Sequence, residues 1–111
     1  MEPKDVILSR TGALSAKKMC YINENLDDPA ISPINGDFKN FPSTLLYIAE
    51  NDITSPDQEI LATRLKAAAV EHRVIRGQGM PHIWPLLPVM KEAKLALNEM
   101  MAEINRIFLK I

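Results

Sequence analysis

The chain has 111 residues, 47% of them hydrophobic and 24% charged, with a net charge of −1. That length suits one small domain or a piece of a larger one, and the composition is that of a folded chain, not a disordered one. Near-neutrality excludes an electrostatic case for a nucleic-acid or anionic-membrane partner, and no apolar stretch approaches the roughly 18 residues of a membrane-spanning helix.

Residues 1–10 read as an extended lead-in without the charged and apolar regions of a secretion signal. The pattern predicts a helix over 11–23, capped by Ser9 or Thr11, with Leu14, Met19, Cys20 and Ile22 on its apolar side. Gly12 weakens its start. Residues 24–43 carry scattered Asn, Asp, Pro and Gly and read as a long loop. A loop of that length is usually functional, or packed on something larger.

The apolar run 44–49 lacks alternation, as expected of a strand covered on both faces of a parallel sheet. A loop follows at 51–54. Ser55 as N-cap, Pro56 at the first helical position and Gln58 at the capping-box position then predict a helix over 55–69, with Leu61, Leu65 and Ala68 on one stripe. A second strand is expected at 70–76, broken by Gly77 and Gly79. A last helix is expected over 88–109, with Val89, Ala93, Leu97, Met100, Ile104 and Ile107 on one face, broadened by Met90, Leu95, Met101 and Phe108.

The fold class is therefore α/β: a helix, a long loop, a parallel β-α-β unit expected to be right-handed, and a C-terminal helix. Both strands of such a unit end on the same sheet edge, about 4.8 Å apart. The loops at 50–54 and 77–84 then lie side by side, and 30 residues separate Asp52 from His82, about the length of one crossover.

That juxtaposition carries chemistry. A histidine acting as general base needs its far nitrogen held by an acceptor, and a carboxylate both fixes the tautomer and stabilises the imidazolium. Asp52 and His82 have the types and order for this pair. Asp52 also fits a turn residue ahead of a helix, and His82 a satisfied loop histidine. Asp57 better suits the first turn of its helix, and Glu50 is a second rival acid. His72 reads as a strand-edge residue, Trp84 as an anchor for the last helix, Tyr21 and Tyr47 as packing residues, and the six methionines as core filling.

No nucleophile matches the pair. Ser9, Ser15, Ser32, Ser43 and Ser55 all lie outside any Gly-x-Ser-x-Gly turn. Cys20, the sole cysteine, excludes an internal disulfide, points to a reducing cytoplasm, and reads as a buried thiol. Phosphate loops, dinucleotide fingerprints and metal-ligand spacings are missing, so neither cofactor nor metal is expected.

Four stretches in order, Asp28-Pro-Ala-Ile-Ser-Pro-Ile, Phe41-Pro-Ser-Thr-Leu-Leu, Ala49-Glu-Asn-Asp-Ile and Gly79-Met-Pro-His-Ile-Trp, resemble the carboxyl-terminal part of α/β-hydrolase-fold esterases and lipases of the hormone-sensitive-lipase type. The resemblance implies a partial α/β-hydrolase fold across 1–111, with a helix and long loop in 1–43 and the β-α-β-α unit in 44–111. It implies Asp52 as triad acid and His82 as triad base, and a small acyl ester as the parent enzyme's substrate. The family's nucleophile elbow and His-Gly-Gly oxyanion loop have no counterpart here. The chain is thus expected to be inactive alone, and to self-associate or dock through an open sheet edge at 44–49. The rival reading is a non-catalytic oligomerisation or interaction module derived from that fold.

Overall fold

The computed structural model describes residues 5–20 and 25–109. Helix α1 (Arg10–Cys20) is followed by a single 3₁₀ turn at Pro33–Asn35, strand β1 (Thr44–Ala49), helix α2 (Ser55–Ala67), strand β2 (His72–Gly77), a second 3₁₀ turn at Trp84–Leu86, and helix α3 (Lys91–Leu109). The element order is the one the hydrophobic pattern predicts.

Ser9 starts α1: its hydroxyl accepts the Gly12 N–H at 3.0 Å and its carbonyl the Ala13 N–H at 2.9 Å. The expected apolar side is not buried. Among the described residues α1 buries none of its side chains, and Cys20 is exposed, which overturns the buried-thiol expectation. Its apolar groups are too few, and no described element lies over them. Ile22 and Tyr21 fall outside the described residues. The loop from 25 to 43 is held by its own polar groups. Asn25, Asp28 and Asp37 each accept the N–H two residues on, and Phe38 meets Phe41 edge-on at 5.3 Å.

β1 and β2 pair in parallel, Thr44 opposite His72 through Ala49 opposite Gly77. Ala49 joins Trp84 and, from α3, Ala96 in the main apolar cluster; Tyr47, two residues from Ala49 and so on the same face, packs around it with Ile75, Met80 and Met90. α2 also packs against β1 and seats the fully buried Leu65. Helices on both faces explain why β1 is apolar without alternation.

The helix boundaries shift for identifiable reasons. The N-cap of α2 is Thr54, not Ser55. Thr54 makes no side-chain cap bond because its hydroxyl is turned back to Asp52, and its carbonyl accepts the Gln58 N–H. Among the described residues the Gln58 side-chain oxygen is buried without a partner, so the expected capping box does not form. α2 ends early because Ala69 turns left-handed (φ 54°), with Val70 N–H returning to Leu65 O and Ala69 N–H to Lys66 O, a Schellman ending. The carbonyl of Val70 pairs with the His72 ring at 2.7 Å. Residue 70 is thus spent on the turn, the Glu71 carbonyl already accepts the Thr44 N–H of β1 at 2.9 Å, and β2 starts at His72.

α3 begins at Lys91, later than expected, because Trp84–Leu86 forms its own 3₁₀ turn with Pro85 inside it and Pro88 beyond it. Val89 is 84% exposed instead of core-facing. The inner stripe is Ala93 and Ala96, continued by half-buried Met100 and Ile107, while Leu97 and Ile104 are exposed. Two alanines let α3 approach closely enough for Tyr47 to donate its hydroxyl to the Ala96 carbonyl at 3.3 Å. Tyr47 meets Trp84 edge-on at 5.8 Å, so Trp84 ties α3 to the sheet as expected.

Candidate active site

The parallel register carries the two loops to one edge. Beyond Ala49 and Gly77 the ladder continues for one more bond, Glu50 N–H to Gly77 O at 3.1 Å. The loops then lace together. Asn51 N–H donates to Met80 O at 3.0 Å, Asn51 Nδ2 to Gly79 O at 3.2 Å, and the Glu50 carboxylate accepts the Gly79 N–H. Glu50, the rival acid, is thus engaged by a backbone amide. Gly79 takes φ +70°, which only glycine adopts without strain.

Asp52 and His82 meet at the centre of this junction. Asp52 Oδ2 lies 2.7 Å from His82 Nδ1. Asp52 is 3% exposed. Its other oxygen accepts the Thr54 N–H at 2.8 Å and the Thr54 hydroxyl at 2.7 Å, so the buried charge is hydrogen-bonded on both oxygens. A carboxylate only accepts, so the shared proton sits on Nδ1, and in the neutral ring Nε2 keeps its lone pair. The His82 side chain is 26% exposed. Among the described residues Nε2 has no hydrogen-bond partner. The next residue, Ile83, is left-handed at φ 51°, an unfavourable conformation for a β-branched side chain directly beside the histidine.

Asp52 and His82 line a recess of about 240 Å³ with Tyr47, Gln58, Trp84 and Met100 among its walls. Trp84 Nε1 and Gln58 Oε1, both buried and without a partner among the described residues, belong to residues of this recess. Asp57 is exposed on the first turn of α2 and His72 is engaged with Val70, so neither joins the pair. Among the described residues no hydroxyl or thiol is hydrogen-bonded to His82, and no three His, Cys, Asp or Glu side chains converge as a metal site. No described helix is long and apolar enough to cross a membrane. Sequence reasoning missed Thr54. An Asp followed two residues on by Thr, in a turn ahead of a helix, was the signal for it.

The chain is similar in sequence and fold to known hydrolases. The family profile described as "alpha/beta hydrolase fold" matches residues 2–86. A protein of Acanthamoeba polyphaga mimivirus named as an α/β hydrolase is 38% identical over 91 residues, covering 77% of this chain and 26% of its own. The esterase of Pyrobaculum calidifontis superposes with a TM-score of 0.78 at 28% identity, over 92% of this chain and 34% of the esterase. An esterase from the bacterial hormone-sensitive lipase family gives 0.77 at 26% identity, over 84% of this chain and 32% of that one. A hormone-sensitive-lipase homologue from a metagenome library shares the fold at a TM-score of 0.87 and 21% identity, over 93% of this chain and 36% of its own. The chain thus spans about a quarter to a third of the length of these relatives. On its sequence match and its parallel β-α-β architecture, the chain belongs to the α/β-hydrolase fold family.

Proposed function

We propose that this chain carries the acid and histidine of a Ser-Asp-His carboxylic-ester hydrolase, Asp52 as the acid and His82 as the base. The observation that carries the reading is the 2.7 Å bond from His82 Nδ1 to a buried, doubly engaged Asp52, beside an open recess. In that role Nε2 takes the proton of a serine hydroxyl as it attacks the ester carbonyl. His82 then passes the proton to the departing alcohol oxygen. Asp52 holds the ring in the Nδ1–H tautomer and stabilises the imidazolium between the two transfers. The serine and the oxyanion donors belong to a part of the fold that this chain's serines and glycines do not provide in the required pattern. The chain would act as the carboxyl-terminal portion of that hydrolase domain, with 1–43 leading in and 44–111 holding the acid–histidine junction. The substrate would be a small acyl ester.

The test is a p-nitrophenyl ester assay on the purified 111-residue chain. No turnover is expected above buffer. Turnover that is lost in His82→Ala would show that the chain has its own nucleophile and would sink this reading. An in-frame Gly-x-Ser-x-Gly upstream in the encoding gene would support it.

A second reading, a non-catalytic interaction module, is favoured by two features. Among the described residues the sheet has only two strands, and Leu97, Met101, Ile104 and Phe108 stand exposed along α3. On this reading two copies cover these surfaces mutually. Light scattering should then show self-association, and a stable monomer would count against it.

A further inference from the structure

Among the described residues, three carboxylates bond to the two loops, and the acid–base reading uses one of them. Asp52 holds the imidazole. Glu50 is spent on the Gly79 amide. The third is Asp5, from the lead-in to α1, which neither pattern nor resemblance singles out.

Asp5 divides its two oxygens between near and distant partners. Oδ1 accepts the Ile7 N–H at 2.8 Å and the Leu8 N–H at 2.9 Å, fixing the turn that leads toward α1. Oδ2 accepts the Ile53 N–H at 3.0 Å, across 48 residues of sequence. Ile53 stands between Asp52 and Thr54, so two carboxylates hold consecutive amides of the acid loop, Asp5 at Ile53 and Asp52 at Thr54. With its amides occupied, the loop cannot rotate Asp52 away from His82 without breaking a charge-assisted bond.

His82 also acts on Asp5 electrostatically. Burial raises the Asp5 carboxyl, but the amides of Leu8, Ile53 and Ile7, together with the charge on His82, outweigh it and hold Asp5 below its ordinary value.

We propose that Asp5 is a positioning residue of this site, which pins the acid loop at Ile53 and so couples the lead-in to the imidazole that Asp52 holds. The proposal rests on the reading of Asp52 and His82 as an acid–base pair, and it is tested without turnover.

NMR on the 111-residue chain decides it. Hydrogen exchange at the Ile53 amide should quicken about tenfold or more in Asp5→Ala. Asp5→Asn, which keeps an oxygen acceptor, should retain most of the protection. The titration of Asp5, followed at the Ile53 amide, should move to higher pH in His82→Gln, because the positive charge that lowers it is gone. The His82→Gln measurement reads coupling, which a purely structural anchor would leave unmoved. Unchanged Ile53 exchange in Asp5→Ala, or an unmoved Asp5 titration in His82→Gln, overturns the proposal. Should Asp5→Ala fail to fold, Asp5→Asn and His82→Gln still decide between coupling and its absence. Failure here would leave the ester assay to test the acid–base reading, and failure of that assay would leave these signals intact.

Discussion

Gly77→Ala tests how tightly the end of β2 is packed against the histidine loop. A β-carbon placed on Gly77 would lie 2.6 Å from Trp84 Cε2, 2.7 Å from Met80 Cγ and 2.8 Å from Met80 Cβ. Carbon contacts are comfortable near 3.5–4.0 Å, so neighbours must move by about 1 Å. Met80 has flexible bonds and can yield in part. Trp84 cannot move freely, because it is wedged with Ala49 and Ala96 and meets Tyr47 edge-on. Overpacking of this kind costs about 1–3 kcal/mol. An opposing effect exists: replacing glycine restricts the unfolded chain and stabilises by about 0.4–1 kcal/mol where the backbone tolerates alanine. Gly77 is not among the residues of positive φ, so that gain applies, and the steric cost exceeds it over most of its range. At roughly 5 °C per kcal/mol, the net loss lowers the melting temperature by up to about 10–13 °C. Circular dichroism reads the loss, and Trp84, the sole tryptophan, reports the displacement by its emission. A melting temperature equal to or above the wild type, with unchanged emission, would refute the packing argument.

Ala69→Gly relieves a left-handed alanine at the Schellman position of α2 and should raise stability by about 0.5–1 kcal/mol in a denaturant titration. Asp52→Ala removes a buried carboxylate that accepts from Thr54 and His82, and should cost about 1–3 kcal/mol by the same measurement. Glu59→Gln breaks the Arg76 pair between α2 and β2, but both partners are about half exposed, so the denaturant midpoint should barely move. Because the folded value of Asp5 lies below its ordinary 3.8, its ionised contacts stabilise the fold fully above that pH. That stability is lost as pH falls through the lower folded value, and Ile53 amide exchange followed against pH should show protection lost only there.

The architecture was legible because it rests on local signals. The unalternating run at 44–49, Pro56 in the first turn of its helix, and the glycines at 77 and 79 mark a β-α-β unit. Parallel pairing then obliges the two loops to meet, so residues 52 and 82 were brought within reach by topology, while spacing alone left their pairing open. The details that were not legible depend on side chains choosing among competing partners. Thr54 caps α2 only through its backbone because its hydroxyl goes to Asp52. Glu50 is taken by the Gly79 amide. Asp5 reaches Ile53 across 48 residues, a distance no periodicity encodes. The strand onset moved because Ala69, without the glycine that usually marks such an ending, nonetheless turns left-handed. Exposure of Cys20 and of the outer face of α3 reflects tertiary cover, which helical spacing cannot report.

Catalytic use of this junction requires that Asp52 hold His82 in the form a general base needs. Nitrogen-15 NMR of the histidine rings at neutral pH measures this directly, since protonated and bare ring nitrogens resonate far apart. Neutral His82 should carry its proton on Nδ1 in the wild-type chain, and Asp52→Ala should release the ring to a mixture of tautomers. A wild-type His82 protonated on Nε2, or one unaffected by Asp52→Ala, would contradict the assigned roles.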